Sequence, residues 1–273
     1  QNYNNDYPVH PLRELDGLSK DQWFAHGYKG FPPKDGDFMV LPAGGSFTGE
    51  MTCNRAETVQ FRDPYNTDPP SNFACRSGSG ALHVMNQYNN TNVDPTKFGG
   101  TALAIAYTSD VSALQPNDMT VISVVQQSVW TRAISYDIPA DLPACPPGGC
   151  LCTWNWIHRA GSGEGYPFEI YNLLYRCTVS GASASAGVVQ RGQVPKDCTG
   201  NPSACLKGAK TPMYLYQADG NNLPHLDVPP MYTDSWGFYQ GAQNDIFAAS
   251  NTSTPAPTTY IQNPYASSTS NSS

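Results

Sequence analysis

The chain has 273 residues, enough for one large domain or two small ones, and an all-β sandwich of this length is commonly a single unit. Its 15 basic and 22 acidic side chains leave a formal charge of −7, the wrong sign for a protein that works on nucleic acid or an anionic membrane surface. Only 14% of residues are charged, 24 glycines and 24 prolines interrupt long helices, and no apolar run reaches the length of a membrane span.

Residues 1–17 are polar and irregular. The clearest helical segment runs over 18–27: Ser19 is placed to cap it, Gln22 completes a capping box three residues on, and Gly27 can end it. Strands are predicted over 37–41, 49–53, 102–107, 120–126, 129–137, 151–157, 169–173 and 176–179. Each is short, rich in Val, Ile, Thr, Tyr and Trp, and bounded by Gly, Pro, Asn or Asp. Short strands with long connections, here 54–99 and 180–230, indicate a sandwich with functional or pinned loops. The organisation expected is one domain over 1–248. A tail over 249–273, nearly free of charge and bulk, reads as a linker or a glycosylated stalk.

The eight cysteines, at 53, 75, 145, 150, 152, 177, 198 and 205, include no C-x-x-C spacing, so a structural zinc site is disfavoured. An even, scattered set in an acidic chain reads as disulfides formed in an oxidising compartment, with the pairing left open. Sequons at Asn89, Asn251 and Asn271 point the same way, to an extracellular glycoprotein; Pro202 disqualifies Asn201.

Of the five histidines, His10, His26 and His225 read as structural or surface residues, with His26 suited to a helix C-terminus. His83 sits in a long loop after Cys75, where it is a reasonable metal ligand or acid–base group. The segment Cys150-Leu-Cys-Thr-Trp-Asn-Trp-Ile-His158 is more informative. As a strand it places Cys152, Trp154, Trp156 and His158 on one face and the odd positions on the other. Glu169 and Tyr171 share a face of the next strand, so a carboxylate, a phenol and an imidazole from adjacent strands can converge.

A histidine at a strand end, followed about ten residues later by Gln or Glu, any residue, then Tyr, is similar to the pattern of fungal copper-dependent lytic polysaccharide monooxygenases. The chain resembles most closely their xylan-linked auxiliary activity family 14. The matching strings are Asp37-Phe38 with Leu41-Pro-Ala-Gly-Gly45, Ala144-Cys-Pro-Pro-Gly-Gly-Cys150, Trp156-Ile-His158, Gly208-Ala-Lys-Thr-Pro212 and Gly241-Ala-Gln-Asn-Asp-Ile-Phe247, in the family's order. The resemblance implies an immunoglobulin-like antiparallel β-sandwich and disulfides Cys53–Cys75, Cys145–Cys150, Cys152–Cys177 and Cys198–Cys205. A further family pair has no counterpart, since neither 99–101 nor Ser128 supplies a cysteine.

Carried over by position, the resemblance implies His83 as a copper-binding histidine, Tyr171 as axial ligand, and His158 and Glu169 beside the open position. Two imidazoles and a terminal amine suit Cu(II), while His158 and Glu169 can hydrogen-bond the oxygen co-substrate and manage protons. The cofactor implied is one copper ion, served by an external electron donor and by hydrogen peroxide or dioxygen. The partner implied is insoluble cell-wall polysaccharide, xylan lying on cellulose, acted on by a secreted monomer. The family's first ligand is the N-terminal histidine of the mature chain, and this sequence begins at Gln1. The expectation is a further segment upstream, about a strand and a turn, that carries it. A mature chain starting at Gln1 would instead point to a non-catalytic polysaccharide- or metal-binding protein on the same fold. A glycoside hydrolase needs a facing pair of carboxylates, and no spacing singles one out.

Overall fold

The computed structural model describes residues 9–52, 58–59, 74, 98–129, 131–159 and 168–248. Nine strands form two sheets among these residues. The strands are β1 (Leu12–Arg13), β2 (Met39–Pro42), β3 (Ser46–Glu50), β4 (Thr101–Ala106), β5 (Thr120–Val125), β6 (Ala133–Asp137), β7 (Cys150–Ile157), β8 (Glu169–Ser180) and β9 (Gly241–Ala242). The larger sheet runs β1-β8-β7-β4-β5-β9, with β2 joined to the far end of β8; β3 and β6 make the smaller one. The large sheet is antiparallel except where β2 runs parallel to β8, Met39 opposite Cys177.

Period-two alternation divides the core in two. On one face of the large sheet Leu103, Ile105, Ile122, Cys152, Trp154 and Trp156 pack with Ile134 and Tyr136 of β6, which closes the sandwich. On the other face Ala102, Ala104, Val121, Leu151, Ile157 and Ile170 pack beneath Trp23, Phe24 and the loop segment Met213–Tyr216. Strands β4 and β7 are buried along their whole length because both faces are covered.

The helical segment departs from expectation. The capping box of Ser19 and Gln22 is present, but the α-helix, α1, spans only Lys20–Trp23. It passes into a single 3-10 turn in which Ala25 and His26 adopt left-handed backbone, each with φ 55°. Tertiary bonding overrides helix propagation: the Ala25 amide donates to the buried Asn172 Oδ1 at 2.7 Å, and Asn172 Nδ2 donates to Asn155 Oδ1 at 2.8 Å. His26 therefore does not serve a helix dipole; its Nε2 meets the His10 carbonyl at 2.6 Å and its ring stacks on Tyr28.

Strand boundaries moved by a few residues, and the expected 129–137 strand begins only at Ala133. The two strands expected over 169–173 and 176–179 are one, because Leu174 and Tyr175 stay in register with Thr153 and Cys152. The two-residue strands β1 and β9 are too short to leave a pattern. Cys145–Cys150, Cys152–Cys177 and Cys198–Cys205 are bonded. Cys53, Cys75, His83, Asn89, Asn251, Asn271 and the tail over 249–273 lie outside the described residues. No helix among the described residues is long and apolar enough to cross a membrane.

Candidate functional site

The site begins with the register of β7 on β8, which sets Trp156 opposite Tyr171 and Ile157 opposite Ile170. One rung further the His158 amide donates to the Glu169 carbonyl at 3.1 Å. Alternation then puts Trp156, His158, Glu169 and Tyr171 on the sandwich face, while Ile157 and Ile170 enter the opposite core. An imidazole, a carboxylate and a phenol thus meet at one end of a two-strand unit whose backbone is fixed by the ladder. β1 covers the outer edge of this end, Arg13 opposite Glu169. Gly100 (φ 75°) admits the chain to β4 beside it, where a Cβ would come within 2.8 Å of the Tyr232 carbonyl oxygen.

His158 and Glu169 are almost wholly buried, 2% and 0% exposed, and Tyr171 is partly buried. Burial raises the Tyr171 pKa well above its ordinary value, and the negative charge of Glu169 raises it further. The phenol is therefore a neutral oxygen at physiological pH. A neutral oxygen would be a weak donor to a metal ion.

Two tryptophans back these groups. The Trp156 indole stacks on Tyr171, centroids 5.0 Å apart and planes 24° apart, and stands edge-on to His158 at 6.2 Å and 89°. Its Nε1 is buried with no acceptor in reach among the described residues. Trp154 lies behind, 6.4 Å from both Trp156 and Tyr171. Trp154 Nε1 donates to Tyr136 Oη at 2.8 Å, which lies 2.6 Å from Thr101 Oγ1. Thr101 Oγ1 is 2.7 Å from Ser128 Oγ, which donates to the Val125 carbonyl at 2.6 Å. Indole N–H only donates and a carbonyl only accepts, so Tyr136 must donate to Thr101 and Thr101 to Ser128. A hydroxyl–hydroxyl bond thus joins Thr101 to Ser128, where the resemblance marked a missing cysteine pair.

His158, Glu169 and Tyr171, the three catalytic candidates, are brought together. His225 stands apart from the sandwich face. Its Nδ1 meets Glu14 Oε1 at 2.7 Å and its Nε2 lies 3.4 Å from Asp227 Oδ1, while its ring packs on Phe168 and Tyr216. The hydrogen bond to Glu14 raises its pKa, with Asp227 adding to the effect. It pins the segment after β1 to the loop that follows Tyr216. Among the described residues no group of three or more His, Cys, Asp or Glu stands close enough to hold a metal ion by itself. The described residues can contribute Tyr171 as an oxygen donor with His158 and Glu169 beside it, and this donor set fits one side of a copper centre. The hydroxyl chain behind Trp154 left no sequence signal, because its members come from four strands and loops.

The sequence profile of the family described as lytic polysaccharide monooxygenase AA14 matches residues 1–273. The chain belongs to this family. It is 36% identical over 254 residues to AA14 family lytic polysaccharide monooxygenase B of Trametes coccinea, covering 89% of this chain and 58% of that protein. It is 35% identical over 262 residues to the protein of the same description from Pycnoporus cinnabarinus, covering 88% of this chain and 64% of that one. With monooxygenase A of Trametes coccinea it shares 37% identity over 253 residues, covering 88% of this chain and 56% of the other. This AA14 member thus spans somewhat over half the length of these curated relatives.

Proposed function

We propose that the protein is a copper monooxygenase that breaks cell-wall polysaccharide oxidatively, acting outside the cell on xylan associated with cellulose. The observation that carries this reading is the convergence of His158, Glu169 and Tyr171 on one face at the β7–β8 end, in a chain whose relatives are described as lytic polysaccharide monooxygenases. His83, an N-terminal histidine and Tyr171 would hold the metal. When bound, copper would supply oxidising chemistry, with hydrogen peroxide or dioxygen as the oxidant and an external electron donor as the reductant. The chain's own groups do the rest. Tyr171 keeps its proton on Oη and offers a neutral oxygen. His158 and Glu169 hold paired positions on one face, joined by a backbone hydrogen bond, and in this reading their side chains orient the co-substrate and manage its protons. Burial by Trp156 and Trp154 keeps bulk water from this wall.

The test is product analysis on xylan-coated cellulose, using the protein as produced by its source and loaded with copper. Oxidised oligosaccharides that require a reductant are expected. Plain reducing ends would identify a hydrolase, and binding without products would identify a non-catalytic polysaccharide-binding protein; either would overturn the reading.

A further inference from the structure

Metal sites hold their shape through the groups that orient the ligands as well as through the ligands themselves. Tyr171 and His158 both need such support. Tyr171 projects from β8 on a side chain free to rotate about two bonds. His158 follows the last residue of β7, where its amide still bonds to the Glu169 carbonyl while the plane of its ring is left to side-chain contacts. One side chain touches both rings. Trp156 lies flat on Tyr171 at 5.0 Å and edge-on to His158 at 6.2 Å. It is itself held in place by the ladder on both sides, opposite Thr101 of β4 and Tyr171 of β8, and is 3% exposed. Trp154 does not duplicate it: it meets Tyr171 only edge-on at 6.4 Å, its N–H is committed to Tyr136, and it makes no ring contact with His158.

We propose that Trp156 is the positioning residue of the site, an indole wall that sets the plane of the Tyr171 phenol and the plane of the His158 imidazole together. This rests on the copper-site reading above. The contacts are made by the ring and not by Nε1–H, which has no acceptor among the described residues. An aromatic ring of any kind at this position therefore keeps the function, and an aliphatic side chain loses it. The offset stack on Tyr171 is the favourable geometry for two aromatic rings, and the edge-on approach to an imidazole is the other.

The experiment uses the full chain as its source processes it, stripped of metal and titrated with Cu(II). Affinity is read by calorimetry and the coordination geometry by electron paramagnetic resonance, for wild type, W156F, W156L and W154F. W156L is expected to weaken Cu(II) binding by about 10- to 100-fold, the usual loss when an outer support is removed, and to shift the axial g value and copper hyperfine splitting. W156F and W154F are expected to keep the wild-type affinity and spectrum. If W156L does not fold, W156M replaces it as the aliphatic member of the series. A wild-type spectrum from the aliphatic variant overturns the proposal, as does an equal shift in W156F and W156L. Wild-type protein that binds no Cu(II) overturns the copper-site reading itself, and the proposal with it.

Discussion

The two ends of the β7–β8 pair are built by opposite means. At one end Cys150 and Cys177 sit opposite each other, and Cys145–Cys150 and Cys152–Cys177 tie three chain segments within a few residues. Gly149 (φ 85°) enters this end so tightly that a Cβ would lie 2.3 Å from Phe38 Cε1. At the other end, among the described residues, His158, Glu169 and Tyr171 are held by the strand ladder and by the Trp156 indole, with Trp154 behind it anchored to a buried hydroxyl chain. Covalent bonds close the end that needs only rigidity. Rings and hydrogen bonds support the end where, on the function proposed above, an imidazole and a carboxylate would manage protons.

The sharpest way to break this comparison is at the open end. His158→Gln should lower reductant-dependent product formation by roughly 10²- to 10⁴-fold, the range for loss of a positioned acid–base group, with little change in the melting temperature. Activity within a few fold of wild type would remove His158 from the mechanism. The closed end should respond in the opposite sense. Replacing Cys152 and Cys177 together by alanine should cost about 3 to 4 kcal/mol of stability through the 25-residue separation that the bond closes, measured by denaturant unfolding, while the Cu(II) spectrum stays unchanged. A changed spectrum would mean that the two ends are coupled.

Smaller effects test the supports between the ends. Asn172→Ala removes the acceptor of the Ala25 amide and the donor to Asn155, both buried, and should cost about 2 to 3 kcal/mol. An unfolding free energy within 0.5 kcal/mol or so of wild type would show that the left-handed turn at Ala25 and His26 does not depend on this side chain. Tyr136→Phe interrupts the hydroxyl chain at its second member and should cost about 1 kcal/mol, leaving the Trp154 N–H without its acceptor. The smallest expected effect is electrostatic. The folded pKa of His225 is raised by Glu14 and Asp227, so its contribution is complete below the unfolded value of about 6.5 and disappears as pH rises through the higher folded value. Corrected for the intrinsic base-catalysed rate, amide exchange over β1 should accelerate across that window in wild type and stay level in His225→Gln. Acceleration on acidification would reverse the sign and refute the pin.

Much of this was legible beforehand because β-structure writes its own alternation. Cys152, Trp154, Trp156 and His158 shared a predicted face, and the sandwich core receives the cysteine and both tryptophans. Glu169 and Tyr171 were paired by the same rule, and the three implied disulfides that fall among the described residues are all present. The helix was overextended because its capping box is a local signal, whereas the stop comes from Asn172, 147 residues away from Ala25. β8 runs unbroken through Leu174 and Tyr175, which carry no turn residue, but only the long neighbour β7 shows that they stay paired.

The sequence by itself determined the class of fold, the alternation that sorts side chains between two cores, and the residue types offered at the candidate site. Periodicity and composition are enough for that, since each depends on neighbours a few positions apart. Tertiary structure alone decided the register that sets Trp156 on Tyr171, the directed hydroxyl chain from Trp154 to Val125, and the pin from Glu14 to His225. The links from Trp156 to Tyr171, from Trp154 to Tyr136 and from Glu14 to His225 each join residues at least fifteen positions apart, and no local pattern encodes which distant partner a side chain will meet once the strands pair.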